Sequence, residues 1–220
     1  MGQAVDFAAE RNRMVEQLVR SRYVLDSRVR DAFLAVPREA FVRPEDADDA
    51  YADVPLPIGR GQTISAPSMI AIMLEEARLA PGEHVLEIGT GSGYHAALVA
   101  HIVGPESVVS IERIPRLAEW GRSNLARTGY AGVTVVVGDG SLGYPEKAPY
   151  DCILATAGAP EIPGPWRRQL SSRGRIVAPI GPRSGQVLIV ATRRADGNLE
   201  IREGTPCAFV PLVGARAWPD

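Results

Sequence analysis

The residues Val85-Leu86-Glu87-Ile88-Gly89-Thr90-Gly91-Ser92-Gly93-Tyr94 concentrate the chemistry of this sequence. An apolar run ends near an acidic residue, three glycines alternate, and residues 95–103 read as a helix. Strand, tight glycine turn and helix start are the usual seat of a nucleotide-like ligand in an open α/β sheet. Glycines admit the ligand to the backbone, and the helix start offers free N–H groups. The third glycine falls at 93 and position 94 is Tyr, so the spacing departs from the G-x-G-x-x-G dinucleotide form and weakens a hydride-transfer reading. Glu112 ends the next apolar run, 23 positions beyond Gly89, where a carboxylate can accept from two ribose hydroxyls. Asp139, in Gly138-Asp139-Gly140 after a third run, can accept from an exocyclic amine, and Gly140 lets the backbone come close. Upstream, Ser65 stands in Gln62-Thr63-Ile64-Ser65-Ala66-Pro67. It lacks a G-x-S-x-G frame and is no hydrolase elbow. His84, His95 and His101 have no evident role and read as structural or surface groups; no Cys/His cluster has metal-ligand spacing, so no metal is expected.

The elements that must position these residues follow from periodicity. Val5, Ala8, Ala9, Met14, Leu18 and Val19 approximate a helical stripe. Residues 26–36 read as a second helix capped by Asp26 or Ser27 and ended by Pro37. Residues 41–61, rich in Pro, Asp and Gly, show no period and read as a long functional or disordered loop. A helix is expected from Pro67 to about Leu79, with a turn at Pro81-Gly82. Strands over 107–111, 133–137, 151–155 and 175–179 then alternate with helices over 115–127 and 165–170, and 187–192 and 200–203 read as closing strands around Asp196-Gly197-Asn198. That rhythm predicts an α/β fold with a parallel sheet covered on both faces.

The 220 residues suffice for one α/β domain with a sizeable core. A net charge of −2, from 24 basic and 26 acidic residues, calls for neither nucleic acid nor an anionic membrane. No apolar run reaches the roughly 18 residues of a spanning helix. Glu10, Arg11, Arg13, Glu16 and Arg20 break any signal-peptide core, so a cytoplasmic chain is expected. Cys152 sits in an apolar run and reads as a small buried hydrophobe; no structural disulfide with Cys207 is expected.

The E-x-G-x-G-x-G form at 87–93 resembles the first motif of class I S-adenosylmethionine (SAM) methyltransferases. The stretch Pro57-Ile58-Gly59-Arg60-Gly61-Gln62-Thr63-Ile64-Ser65-Ala66-Pro67 closely resembles the signature of protein-L-isoaspartate O-methyltransferases. So do Ala148-Pro149-Tyr150-Asp151, Ala157-Gly158-Ala159-Pro160-Glu161-Ile162-Pro163 and Phe209-Val210-Pro211-Leu212-Val213-Gly214. The resemblance implies a Rossmann-like class I methyltransferase domain over 1–220, with an N-terminal helical extension and substrate loop over 1–80 and a SAM-binding core with added C-terminal strands over 81–220. It implies methylation, from SAM, of the free α-carboxylate of isoaspartyl residues in aged proteins; the ester then cyclises to a succinimide without the enzyme. Ser65 takes the place of the serine at the reacting carboxylate. Thr63, Ile64, Val210, Pro211 and Leu212 fall at substrate positions. Gln62, Glu87, Gly89, Thr90, Gly91, Ser92, Glu112, Arg113, Asp139, Gly140 and Thr156 fall at cofactor positions. Isoaspartyl-containing proteins and peptides are the expected partners of a monomer. The chain departs from many relatives at Ser68, where they carry His or Tyr, and at Ile70, where some carry His. Methylation of a designated Asp in one peptide partner, or a non-catalytic SAM-binding module, are the alternatives.

Overall fold

A computed structural model describes residues 5–219. Two N-terminal helices in contact with each other come first. In α1 (Phe7–Arg20) the Asp6 carboxylate caps the free Ala8 and Ala9 amides at 3.1 Å each, and Met14, Val15 and Leu18 form the buried stripe. In α2 (Ser27–Ala35) Asp26 caps Arg28, and Val29, Ala32 and Phe33 are buried at helical spacing. Residues 41–61, expected as a long functional or disordered loop, carry regular elements. Here 3₁₀ turns at Arg38–Phe41 and Pro44–Asp49 precede the hairpin β1 (Leu56–Gly59) and β2 (Gln62–Ile64). Short 3₁₀ turns and a strand pair interrupted by Pro57 leave no period to read. Helix α3 (Pro67–Ala77) follows, with Pro67 at its first position.

The core alternates β3 (Val85–Ile88), α4 (Tyr94–Val103), β4 (Val108–Glu112), α5 (Pro115–Arg127), β5 (Thr134–Val137), β6 (Tyr150–Ala155), α6 (Gly164–Gln169), β7 (Leu170–Ile180), β8 (Gln186–Arg193) and β9 (Leu199–Cys207). They form one seven-stranded sheet in the order β5-β4-β3-β6-β7-β8-β9. The first five strands are parallel neighbours, and β8 and β9 add antiparallel at the end. The order reverses at β3, where β4 lies on one side and β6 on the other. That is the switch point at which such sheets open a crevice beyond their strand ends.

Strand alternation separates two cores. Val85, Leu154 and Val177 pack with residues of α1 to α5 on one face. Leu86, Ile153 and Ile176 pack with Trp166 of α6 and Leu212 on the other. The cover is therefore uneven: five helices on one face, one short helix and the C-terminal segment on the second. Val210 to Leu212 are tied there through Gly158, whose N–H donates to Val210 O and whose carbonyl accepts from Leu212 N, both at 2.8 Å. Cys152 and Cys207 are free thiols, and burial pushes that of Cys152 up to about 12. Among the described residues no helix is long and apolar enough to cross a membrane.

Candidate active site

A cavity opens at the switch point, beyond the C-terminal ends of β3, β4 and β6. Several pieces of chain meet there, among them the ends of β3, β4 and β6. The glycine turn and the start of α4 form its floor. The end of β2 with Ser65 forms one wall, and residues 210–213 form another.

The glycine turn is held from behind. Gly93 N–H donates to Thr90 O at 2.8 Å, and Asn124 Nδ2 of α5 donates to Ser92 O at 2.9 Å. Gly121 of α5 lets this turn come close: a Cβ there would stand 2.9 Å from Gly91 O. Glu112 ends β4 with one carboxylate oxygen accepting from Gly91 N–H at 2.9 Å and the other from Ile114 N–H at 2.9 Å. Each oxygen keeps a further lone pair. Thr156, just past β6, donates its hydroxyl to Gly89 O at 2.8 Å and so joins the ends of β3 and β6.

Ser65 is half-buried at the cavity wall. Its carbonyl accepts from Arg38 Nη2 at 2.9 Å, while Arg38 Nε donates to Ala50 O at 2.7 Å. Arg38 is wholly buried, and its guanidinium carbon lies 5.0 Å from the ring centroid of Tyr94, another lining residue. Burial draws the Arg38 pKa down to about 10, so the group stays cationic at neutral pH. Among the described residues no acid or imidazole is hydrogen-bonded to the Ser65 hydroxyl, so the serine has no base with which to act as a nucleophile.

Of the residues singled out in the sequence, the cavity gathers Gln62, Thr63, Ile64, Ser65, Gly89, Thr90, Gly91, Ser92, Glu112, Arg113, Gly140, Thr156, Val210, Pro211 and Leu212. Two stand behind it. Glu87 is fully buried on β3 and takes hydrogen bonds from His95 and Ser110. Asp139 is turned to the C-terminal segment: Oδ1 accepts from Ser141 N–H at 2.9 Å and Oδ2 from Ala215 N–H at 2.8 Å. A carboxylate at the end of a strand serves whichever donors the next turn presents, and here the turn after β5 and the C-terminal segment present them. Sequence reading missed His95, Tyr94, Ile58, Met73 and Val213 on the lining, and Arg38 behind it. Ile70 also lines the cavity, whereas Ser68 donates its N–H to Asp53 Oδ1 at 2.8 Å.

The residues present fit a nucleoside carrying an amino-acid tail. Glu112 offers lone pairs beside the turn, Ile88, Ile111 and Ile114 offer apolar walls for a flat base, and Gly89, Gly91 and Gly140 put no side chain in the way.

Comparisons with known proteins agree with this geometry. The family model described as protein-L-isoaspartate(D-aspartate) O-methyltransferase matches residues 9–217. A protein-L-isoaspartate O-methyltransferase of Hyperthermus butylicus is 56% identical over 221 residues, covering 96% of this chain and 92% of that protein. A solved protein-L-isoaspartate O-methyltransferase superposes with a TM-score of 0.85 at 32% identity, over 94% of this chain and 67% of that one. A Plasmodium falciparum chain, solved in complex with S-adenosyl-L-homocysteine, superposes with a TM-score of 0.82 at 24% identity, over 96% of this chain and 99% of that one, a likeness of fold. The match along nearly the whole length, on a chain whose signature loop and glycine turn share one cavity, places it: the chain belongs to the protein-L-isoaspartate(D-aspartate) O-methyltransferase family.

Proposed function

We propose that this cavity methylates the free α-carboxylate of L-isoaspartyl residues in damaged proteins, with SAM held on the glycine turn and the peptide held between β2 and residues 210–212. When bound, SAM supplies an electrophilic methyl group on a sulfonium centre. The observation that carries the reading is the meeting of Ser65, the glycine turn and residues 210–213 in one cavity.

The remaining work belongs to the chain. A carboxylate of reference pKa near ~4 is ionised at neutral pH and needs no general base. Ser65 donates its hydroxyl to one carboxylate oxygen and so aims the other. Thr63 and Ile64 extend beside the peptide as a strand edge, and Val210, Pro211 and Leu212 close the opposite side. Glu112 takes the ribose hydroxyls, and Gln62, Thr90, Ser92, Arg113 and Thr156 surround the rest of the cofactor. Positioning of this kind supplies about 7–11 kcal/mol of a barrier. Glu87 and Asp139 act from behind: one on His95, the other on the C-terminal segment that carries Leu212.

One domain is part of this reading, because the larger core mixes residues of 14–79 with those of the sheet. So is a cytoplasmic monomer acting on proteins; the near-balanced net charge of −2 argues against nucleic acid or an anionic membrane as partner.

A crossed pair of variants tests the assignment. Ser65→Ala is expected to lower methyl transfer at least about tenfold and to keep S-adenosylhomocysteine affinity within about twofold by calorimetry. Glu112→Ala is expected to weaken that affinity at least about tenfold, since a bond to a charged acceptor is worth about 1.5–3 kcal/mol. The reverse pattern, or full activity in Ser65→Ala, would remove these residues from their roles.

A further inference from the structure

His95 is the second residue of α4 and lines the cavity with only 7% of its surface exposed. Its Nδ1 lies 2.7 Å from Glu87 Oε1. Glu87 is wholly buried, and its other oxygen accepts from the Ser110 hydroxyl, which lies 2.6 Å from Thr90 Oγ1. A carboxylate only accepts, so in the neutral ring the hydrogen sits on Nδ1 and Nε2 keeps its lone pair. That Nε2 is buried and has no hydrogen-bond partner among the described residues. An unpaired buried acceptor is costly, so this wall is built for a donor that the chain itself does not provide.

The donors of the cofactor are its base amine, its ribose hydroxyls and its α-ammonium. The hydroxyls fall to Glu112. Between the other two, an imidazole acceptor with a buried carboxylate directly behind it favours the cation over a neutral amine, because a charged donor makes the stronger hydrogen bond and the carboxylate charge lies close behind the ring. We infer that His95 Nε2 receives an N–H of the cofactor's α-ammonium group, with Glu87 as the residue that positions the ring. This inference rests on reading the cavity as a SAM site.

The test compares three ligands by calorimetry: S-adenosylhomocysteine, its analogue lacking the α-amino group, and its decarboxylated analogue. Asn at position 95 places an amide near the Nδ1 position and deletes Nε2. Gln places an amide near Nε2. Wild-type protein is expected to prefer S-adenosylhomocysteine over the deaminated analogue at least about tenfold. His95→Asn narrows that preference to within about twofold, His95→Gln restores most of it, and the penalty for decarboxylation stays the same in all three. The inference is overturned by a preference that survives in His95→Asn, by one lost equally in both variants, or by a decarboxylation penalty that collapses instead. Wild-type protein that binds none of the three would overturn the reading of the cavity as well, and is thereby a different result. A second measurement needs no variant. In ¹⁵N spectra of the wild type, one of the three histidines should shift its Nε2 resonance upfield with S-adenosylhomocysteine and not with the deaminated analogue. An unmoved resonance would also overturn it.

Discussion

Gly89→Ala is expected to weaken S-adenosylhomocysteine binding more than about a hundredfold, a cost of about 2.8 kcal/mol. Gly89 has φ +101°, and a Cβ there would stand 2.4 Å from Thr156 Oγ1. The backbone conformation alone costs a side-chain-bearing residue about 1–3 kcal/mol. The clash falls on the hydroxyl that bonds Ile88 O at 3.1 Å and Gly89 O at 2.8 Å, so relief means turning Thr156 away and losing both bonds, or shifting the ends of β3 and β6 under the cavity. Gly82→Ala is the control: φ is +82° there too, but a Cβ meets nothing within 4 Å, so stability should fall without loss of affinity. Calorimetry with thermal melts separates the two effects. Affinity within about threefold of wild type in Gly89→Ala would mean that the turn yields freely and does not shape the site.

Arg38→Met should leave cofactor affinity within about threefold and cut methyl transfer to an isoaspartyl peptide about ten- to a hundredfold, because a shift of ~1 Å at a reacting group costs about that much. Arg38 joins Ala50 O and Ser65 O through one buried guanidinium. Met keeps much of the volume but strands both carbonyls, at about 1–3 kcal/mol each where they stay buried. Release of the buried charge offsets part of that loss. The melting temperature should therefore fall by less than the two stranded carbonyls alone imply, while the Ser65 loop loses its tether. Steady-state rates with wild-type-like affinity are the expected signature. Unchanged rates would show that Ser65 is held by its own strand and needs no support from Arg38.

Legibility in the sequence followed periodicity. The alternating core from β3 to β8 was readable because buried parallel strands are short apolar runs and α5 repeats Leu117, Gly121 and Leu125 every four residues. The hairpin β1–β2 was hidden because Pro57 and three successive positive-φ residues, Gly59, Arg60 and Gly61, look like loop. Arg38 carried no local sign: its partners at 50 and 65 meet it only through the 3₁₀ turns, and a lone Arg after Pro37 reads as surface. His95 was obscured by its own helix, where nine of the ten residues are buried and a His among them looks like filler. The one signal lay in Glu87, since a strand, a glycine turn and a helix start bring a strand-end carboxylate back beside the second helical residue. Asp139 shows the opposite limit. Gly-Asp-Gly after a strand says that a carboxylate will stand there, and only the packing of residues 214–215 decides which donors it meets.

Specificity for the isoaspartyl linkage is the centre of the account. An isoaspartyl residue carries one extra main-chain methylene and a free α-carboxylate on a short arm. If the peptide is gripped on both sides as proposed, at Thr63 to Ser65 and at Val210 to Leu212, the site would feel that shift directly. The decisive measurement is methyl transfer from SAM to an isoaspartyl peptide and to its normal Asp twin at equal concentration, with the ester followed to the succinimide. A preference of about a hundredfold or more for the isoaspartyl peptide is predicted. Equal rates, or a preference for the Asp twin, would contradict it and point to methylation of a designated Asp in a dedicated peptide.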